Sequence, residues 1–336
     1  MRLGHLSDVH FDGSRRLAGA LRTTSEGVPV GIAHPDRCAR EVMASMGAVD
    51  LWCLTGDLFE RAHPSPEELR AGLDLVCDMA VKAPVVVLAG NHDVPSTGES
   101  GALVGLQRRT DVHVVDTPRV LAFGPGPRNR LRALRGAGDA DATAASLLVA
   151  CVPYPHRARI AAAAPAGVEP NAWASSMLER LLAGMASDAR VVSTAAPVVL
   201  LWHGSIDGCR IRHQPRSLAN DIALSVPALL AGPWAAVLCG HIHERQAMHD
   251  RIRHAGSVDR HDFGEEGDDK GGLLWTLDGA STQVSPIDAR SPTEYRTLSV
   301  EGYEAGGAVS PGTVVRVKGS CDPERATRLR ARMAAD

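Results

Sequence analysis

The feature that most constrains this chain is a rhythm of short apolar runs, four of the five followed within three residues by Asp, Asn or His. The runs span 49–54 (VDLWCL), 84–89 (PVVVLA), 147–152 (LLVACV), 197–202 (PVVLLW) and 235–239 (AAVLC). Uniformly apolar runs of this length, bounded by turn residues, read as strands buried on both faces. Between them, residues 35–47, 65–82 and 171–188 have helical composition. Each opens on a start signal: Pro35-Asp36, Ser65-Pro66-Glu67-Glu68 and Asn171. The alternation predicts an α/β sandwich with helices packed outside the sheets.

At 336 residues the chain is long enough for one large domain and a small appendage, since single cores stop growing at roughly 250–300 residues. Residues 124–146, rich in Gly, Pro, Ala and Arg without a periodic apolar face, are expected to be an exposed loop. After about residue 280 the character changes. A turn-rich stretch (SPIDARSPTEYR) leads to a strand-like run at 314–319 and a helical one from Asp322. The expected division is therefore 1–280 for the main domain and 281–336 for the appendage.

No apolar run approaches the ~20 residues that a membrane helix needs. Met1 leads within a few residues into LGHLSDVHF, which leaves no room for a targeting segment, so a cytoplasmic location is expected. Seven cysteines, an odd number without a CxxC pair, argue against a disulfide framework and a zinc ribbon. A formal charge of −3 provides no global attraction for nucleic acid, so any grip on DNA must be local.

Five places put a metal-ligand side chain directly after, or at the end of, a strand-like run: Asp8-Val9-His10, Gly56-Asp57, Gly90-Asn91-His92-Asp93, His203-Gly204 and Gly240-His241-Ile242-His243. Loops at strand ends of an open α/β sheet converge on a crevice. Each dipeptide alone is common; their order and placement carry the signal. Imidazole nitrogen with carboxylate and amide oxygen suits Mn, Fe or Zn. One carboxylate can bridge two cations, and Asp57 is the candidate bridge.

The succession D-x-H, GD, GNHD, HG and GHxH across residues 5–243 resembles the calcineurin-like metallophosphoesterases. The resemblance implies a β-sandwich flanked by helices in four layers (α/β/β/α), with a small, truncated α+β cap. It also implies two divalent ions, one held by Asp8, His10, Asp57 and His243, the other by Asp57, Asn91, His203 and His241. His92 would contact the scissile phosphate, and Asp93 would orient its ring.

Three further stretches are similar to the SbcD family, the nuclease subunits of bacterial SbcCD repair complexes. They are His5–Phe11, Gly56–Arg61 with Pro64-Ser65-Pro66, and above all the 255–271 run AGSVDRHDFGEEGDDKG. This second resemblance implies a Mn-dependent exonuclease and endonuclease on DNA ends and hairpins, with Fe, Zn or Mg as alternative metals. It also implies a homodimer with an SMC-like ATPase partner of the SbcC type. Two departures stand out: Glu60 occupies a position where some relatives carry histidine, and the helices that would grip the ATPase are expected to be missing before Asp336. A phosphatase or cyclic-nucleotide phosphodiesterase shares the same metal core, and a non-catalytic binding module is the third possibility. The run RNRLRALR at 128–135 and the histidines 213, 249, 254 and 261 are expected to be solvated surface groups.

Overall fold

The computed structural model describes residues 1–17, 20–95, 101–124, 130–133, 145–156, 160, 163–192, 195–210, 221–279, 281–306, 309–310 and 312–335. Two mixed sheets pack face to face. The first has six strands in the order Ser281–Asp288, Gly271–Asp278, Arg2–Leu6, Leu51–Leu54, Val85–Leu88 and Val112–Val115. Its last four strands are parallel. The second has seven, in the order Gln246–His249, Ile252–His254, Trp234–Gly240, Val198–His203, Leu147–Val152, Arg119–Gly124 and Arg130–Ala133, with a parallel centre.

Side chains alternate across each strand, and the alternation separates three cores. Leu3, Leu51, Cys53, Val86 and Leu88 meet Val149, Cys151, Val199, Leu201 and Leu238 between the sheets. Leu6, Trp52, Leu54, Val85 and Val87 turn the other way, onto Val42, Met46, Leu75 and Met79 of two outer helices. On the far side, Leu148, Leu200 and Trp202 meet Leu178, Leu182 and Ala189 of the helix Pro170–Val192. Helix, sheet, sheet, helix is the four-layer architecture expected from the sequence.

The helix Pro66–Lys82 starts where its signal lies. Ser65 Oγ accepts from Glu68 N at 3.2 Å while Glu68 Oε2 accepts from Ser65 N at 2.6 Å, a reciprocal cap with proline in the first turn. The helix Val30–Met46 differs from expectation by beginning five residues before Pro35. Proline has no N–H to offer the preceding turn, and here the carbonyl of Gly31 accepts instead from Asp12 N at 3.1 Å. A long-range bond thus permits the helix to continue through Pro35.

The loop expected at 124–146 is partly a strand. Arg130–Ala133 pairs antiparallel with Leu121–Gly124, and Leu131 is buried in the inter-sheet core. Residues 125–129 and 134–144, and with them the ends of the 128–135 run, lie outside the described residues. At the C-terminal side the strands Gly271–Asp278 and Ser281–Asp288 pair antiparallel within the first sheet. Beyond it, Tyr295–Ser299 and Val314–Lys318 form a two-stranded parallel sheet of their own, with the helices Val300–Glu304 and Pro323–Ala335. All seven cysteines are free. Among the described residues no helix is long and apolar enough to cross a membrane.

Candidate metal centre

The parallel strands of both sheets end on one side, and their C-terminal loops meet there. Arg2–Leu6 leads to Asp8 and His10, Leu51–Leu54 to Asp57, and Val85–Leu88 to Asn91 and His92. The second sheet contributes His203 at the end of its strand, and His241 and His243 just past Gly240. The first loops are stitched together by Asp8 N to Gly56 O at 3.0 Å, His10 N to Asp57 O at 3.0 Å and Phe11 N to Leu58 O at 3.1 Å.

Among the described residues, the non-glycine residues with positive φ are Asp8 (51°), His10 (51°), Asp57 (52°) and His241 (81°). Each such residue costs on the order of 1–3 kcal/mol and persists only where its surroundings enforce it. Strain is therefore concentrated on the residues that the sequence singled out. Gly56, at φ +99°, passes so close to the His203 ring that a Cβ would overlap it. Gly90 lies as tightly against Asp57, 2.5 Å from that residue's backbone nitrogen for a Cβ built there.

The structure brings Asp8, His10 and His243 together, with ligand atoms within 4.8 Å of one another, and likewise Asp57, His203 and His241. Asp57 joins the two groups. Its Oδ2 lies 3.3 Å from His203 Nε2 and 3.7 Å from His10 Nε2. Asn91 Oδ1 completes the second group, 3.1 Å from His203 Nε2 and 2.9 Å from His241 Nδ1.

The tautomers follow from the partners on the far side of each ring, because a carboxylate or carbonyl oxygen can only accept. His10 Nδ1 donates to Glu60 Oε2 at 2.8 Å, His243 Nδ1 to Glu265 Oε1 at 2.7 Å and His203 Nδ1 to Thr55 O at 2.6 Å. His241 Nε2 donates to Asp221 Oδ2 at 2.7 Å. When neutral, each ring turns a lone pair inward, the arrangement in which metal-bound imidazoles are held. Acceptors consequently face acceptors: His10 Nε2 against His243 Nε2 at 3.1 Å, and two rings against Asn91 Oδ1. In the neutral form such pairs repel unless a proton or a metal cation sits between them, and the donor set fits two divalent ions.

Electrostatics point the same way. Burial alone would lower His203, but Asp57 beside it raises the ring to about 9. Burial opposes the rise of His243 and His10 as well, and Glu265, Glu60 and the aspartates outweigh it. Asp57 is held well below the carboxylate range by His203, His10 and His92 despite burial. The field that favours a proton on these rings favours any cation at their common points.

His92 sits at the rim, its side chain 36% exposed. Its backbone N donates to Asp57 Oδ1 at 2.9 Å and its Nδ1 to the carbonyl of Glu60 at 2.7 Å. The expectation that Asp93 orients this ring is corrected. Asp93 Oδ2 accepts from Asp57 N at 2.8 Å and Gly90 N at 2.9 Å, and Oδ1 accepts from Phe59 N at 3.1 Å. It fixes the Asp57 and Asn91 loops against each other, and burial together with the Asp57 charge pushes it up to about 6.

Sequence reasoning noted Glu60 only as a departure from relatives and Glu265 only within the 255–271 run, and did not single out Asp221; their place behind the rings was not foreseen. It also missed Lys270, fully buried, whose Nζ reaches Glu265 Oε2 at 2.8 Å, Ser257 Oγ at 2.9 Å and His243 O at 3.0 Å. The acidic run around Glu265 was the available signal; Asp221 had none. Two histidines read as surface groups are not. His254 is buried with Nδ1 on Gly240 O at 3.0 Å, and the His261 ring lies 4.9 Å from His10 and 5.0 Å from His243. His213 lies outside the described residues.

Among solved structures, the chain is similar to a dimetal phosphatase from Danio rerio, at 13% identity over 86% of this chain and 98% of that one, with a TM-score of 0.41. It is also similar to a candidate 5′-nucleotidase from Staphylococcus aureus solved with alpha-ketoglutarate, at 14% identity over 86% of this chain and 55% of the other, with a TM-score of 0.46. Residues 1–144, which contain Asp8, His10, Asp57, Asn91 and His92, match the family model described as calcineurin-like phosphoesterase.

Proposed function

We propose that this protein is a two-metal phosphodiester hydrolase that cuts DNA at ends and hairpins in the manner of the SbcD nucleases. The observation that carries the reading is the place of Asp57, one carboxylate oxygen set between a ring of each metal-capable group. Two divalent ions, Mn being the first choice, would be held by Asp8, His10, Asp57 and His243 and by Asp57, Asn91, His203 and His241. Bound there, they supply Lewis acidity and a lowered pKa for water.

The chain's own residues do the rest. Glu60, Glu265, Asp221 and the Thr55 carbonyl hold the imidazole tautomers, so no reorganisation is needed when substrate arrives. His92, clamped through Nδ1 by Glu60 O, presents its other nitrogen at the rim. In its imidazolium form that nitrogen donates to a phosphoryl or leaving oxygen. Support for the nuclease assignment comes from the 255–271 run. Glu265 and Lys270 hold His243, while Asp259 accepts from Arg15 Nη1 at 3.2 Å and from Thr293 N at 2.5 Å. The stretch most similar to SbcD thus builds the wall behind one metal position and ties the C-terminal unit to it. A homodimer and an SbcC-like ATPase partner belong to the same proposal, and co-purification with such an ATPase tests them.

The test is Mn-dependent degradation of linear duplex and hairpin DNA, abolished by Asp57→Asn; intact DNA under Mn, Mg, Fe and Zn refutes the nuclease reading. A second reading, hydrolysis of small phosphoesters, is favoured by Glu60, whose side chain is 38% exposed beside His92. A carboxylate there repels neighbouring phosphates of a polyanion. Turnover of a phosphomonoester with DNA untouched decides for it.

A further inference from the structure

Next to the metal centre lies a cavity of about 440 Å³ with mainly apolar walls, within the roughly 300–1,000 Å³ typical of ligand sites. Its floor is shared with the centre. Gly90, the residue packed against Asp57, lines it, and so does Tyr154. The Tyr154 ring lies 5.4 Å from that of His241 and 6.1 Å from that of His203, and its hydroxyl donates to Asp221 Oδ1 at 2.9 Å. A group seated in the cavity is therefore one residue removed from the metal ligands. The opposite wall is the helix Pro170–Val192, with Trp173, Met177 and Leu178. Asp116 and Thr117 add polar groups at the edge.

We propose that this cavity receives the nucleobase of the nucleotide whose phosphate is held at the metal centre. Two aromatic side chains and an aliphatic helix face suit a flat ring. Base–aromatic stacking tolerates every base because each has a π-face, and the few polar edge groups match the heteroatoms of a base rather than a lipid chain. The role is a binding subsite: it holds the substrate by a part remote from the reacting phosphorus and fixes its orientation. The inference rests on the phosphodiesterase reading for the phosphate end alone.

The experiment is calorimetric titration of the Mn-loaded full chain with adenosine 5′-monophosphate and, separately, with ribose 5-phosphate, which carries the same phosphate without a base. Adenosine monophosphate is expected to bind at least ten-fold more tightly. Trp173→Ala is expected to reduce that advantage, and Ala163→Trp, placed at an exposed lining position, to remove it by filling the cavity. Ribose 5-phosphate and Mn affinities in the variants report that the fold and the metal positions persist. Equal affinity of the wild type for the two ligands, or an advantage that survives Ala163→Trp, overturns the proposal. A base preference in a protein that hydrolyses no phosphodiester upholds the subsite and sinks the hydrolase reading. Hydrolysis without a base preference does the reverse.

Discussion

Replacing Lys270 by Met tests whether the carboxylate behind His243 is held by charge or merely by packing. Lys270 is buried, and its Nζ lies 2.8 Å from Glu265 Oε2 and 3.6 Å from Asp268 Oδ2, with hydrogen bonds to Ser257 and the His243 carbonyl. Burial works to raise Glu265, and His243 and Lys270 together keep it well below its ordinary value. Methionine fills the same volume without the charge, so Glu265 loses one of two cationic partners in a buried place. Breaking a buried pair from one side costs about 3–5 kcal/mol. Urea denaturation of the metal-free protein reads that loss as a lowered midpoint at unchanged slope. Because Glu265 also fixes the His243 tautomer, Mn affinity is expected to fall about 10–100-fold, the usual cost of losing a group behind a metal ligand. Lys270→Met combined with Glu265→Gln removes both charges and keeps an oxygen to accept from His243 Nδ1, so most of the lost stability should return. A single variant within about 1 kcal/mol of wild type, with Mn affinity unaltered, refutes the reasoning.

Gly90→Ala places a methyl group against the Asp57 carboxylate and 2.5 Å from its backbone nitrogen; a displacement of about 1 Å at Asp57 should cost about 100-fold in turnover, read in steady-state kinetics. His92→Gln should lower kcat by about 100-fold or more while Mn binding, measured by calorimetry, stays as in the wild type. In metal-free protein, His203 stands at about 9, above the ~6.5 of an unfolded chain. Its contribution to stability is therefore complete below pH ~6.5 and is lost as pH rises through about 9, and Mn binding should release protons and tighten over the same interval. A metal affinity flat from pH 6.5 to 9 would contradict the Asp57–His203 pairing.

Much of the sandwich was legible because its signals are local. The runs at 84–89 and 147–152 became strands within a residue or two, and the Ser65/Glu68 cap set the start of its helix where the sequence puts it. Pro35 misled because the bond that excuses it comes from Asp12, outside the helix. Arg130–Ala133 was hidden among loop residues because the sequence there shows no periodic apolar face, although Leu131 is buried in the inter-sheet core.

The metal-ligand candidates were readable for the same local reason: each lies at the end of its strand or within three residues of it, so strand order and sheet polarity bring Asp8, Asp57, Asn91, His203 and His241 to one edge. The partners behind the rings obey no such rule. Glu60 and Asp221 sit on loops and Glu265 on the short 3-10 helix Phe263–Glu265, and each meets a histidine through a contact that spacing does not encode. Sequence alone determined which atoms could ligate; the tertiary fold decided which nitrogen of each imidazole faces inward, because only folding brings a carboxylate or carbonyl up to the other one.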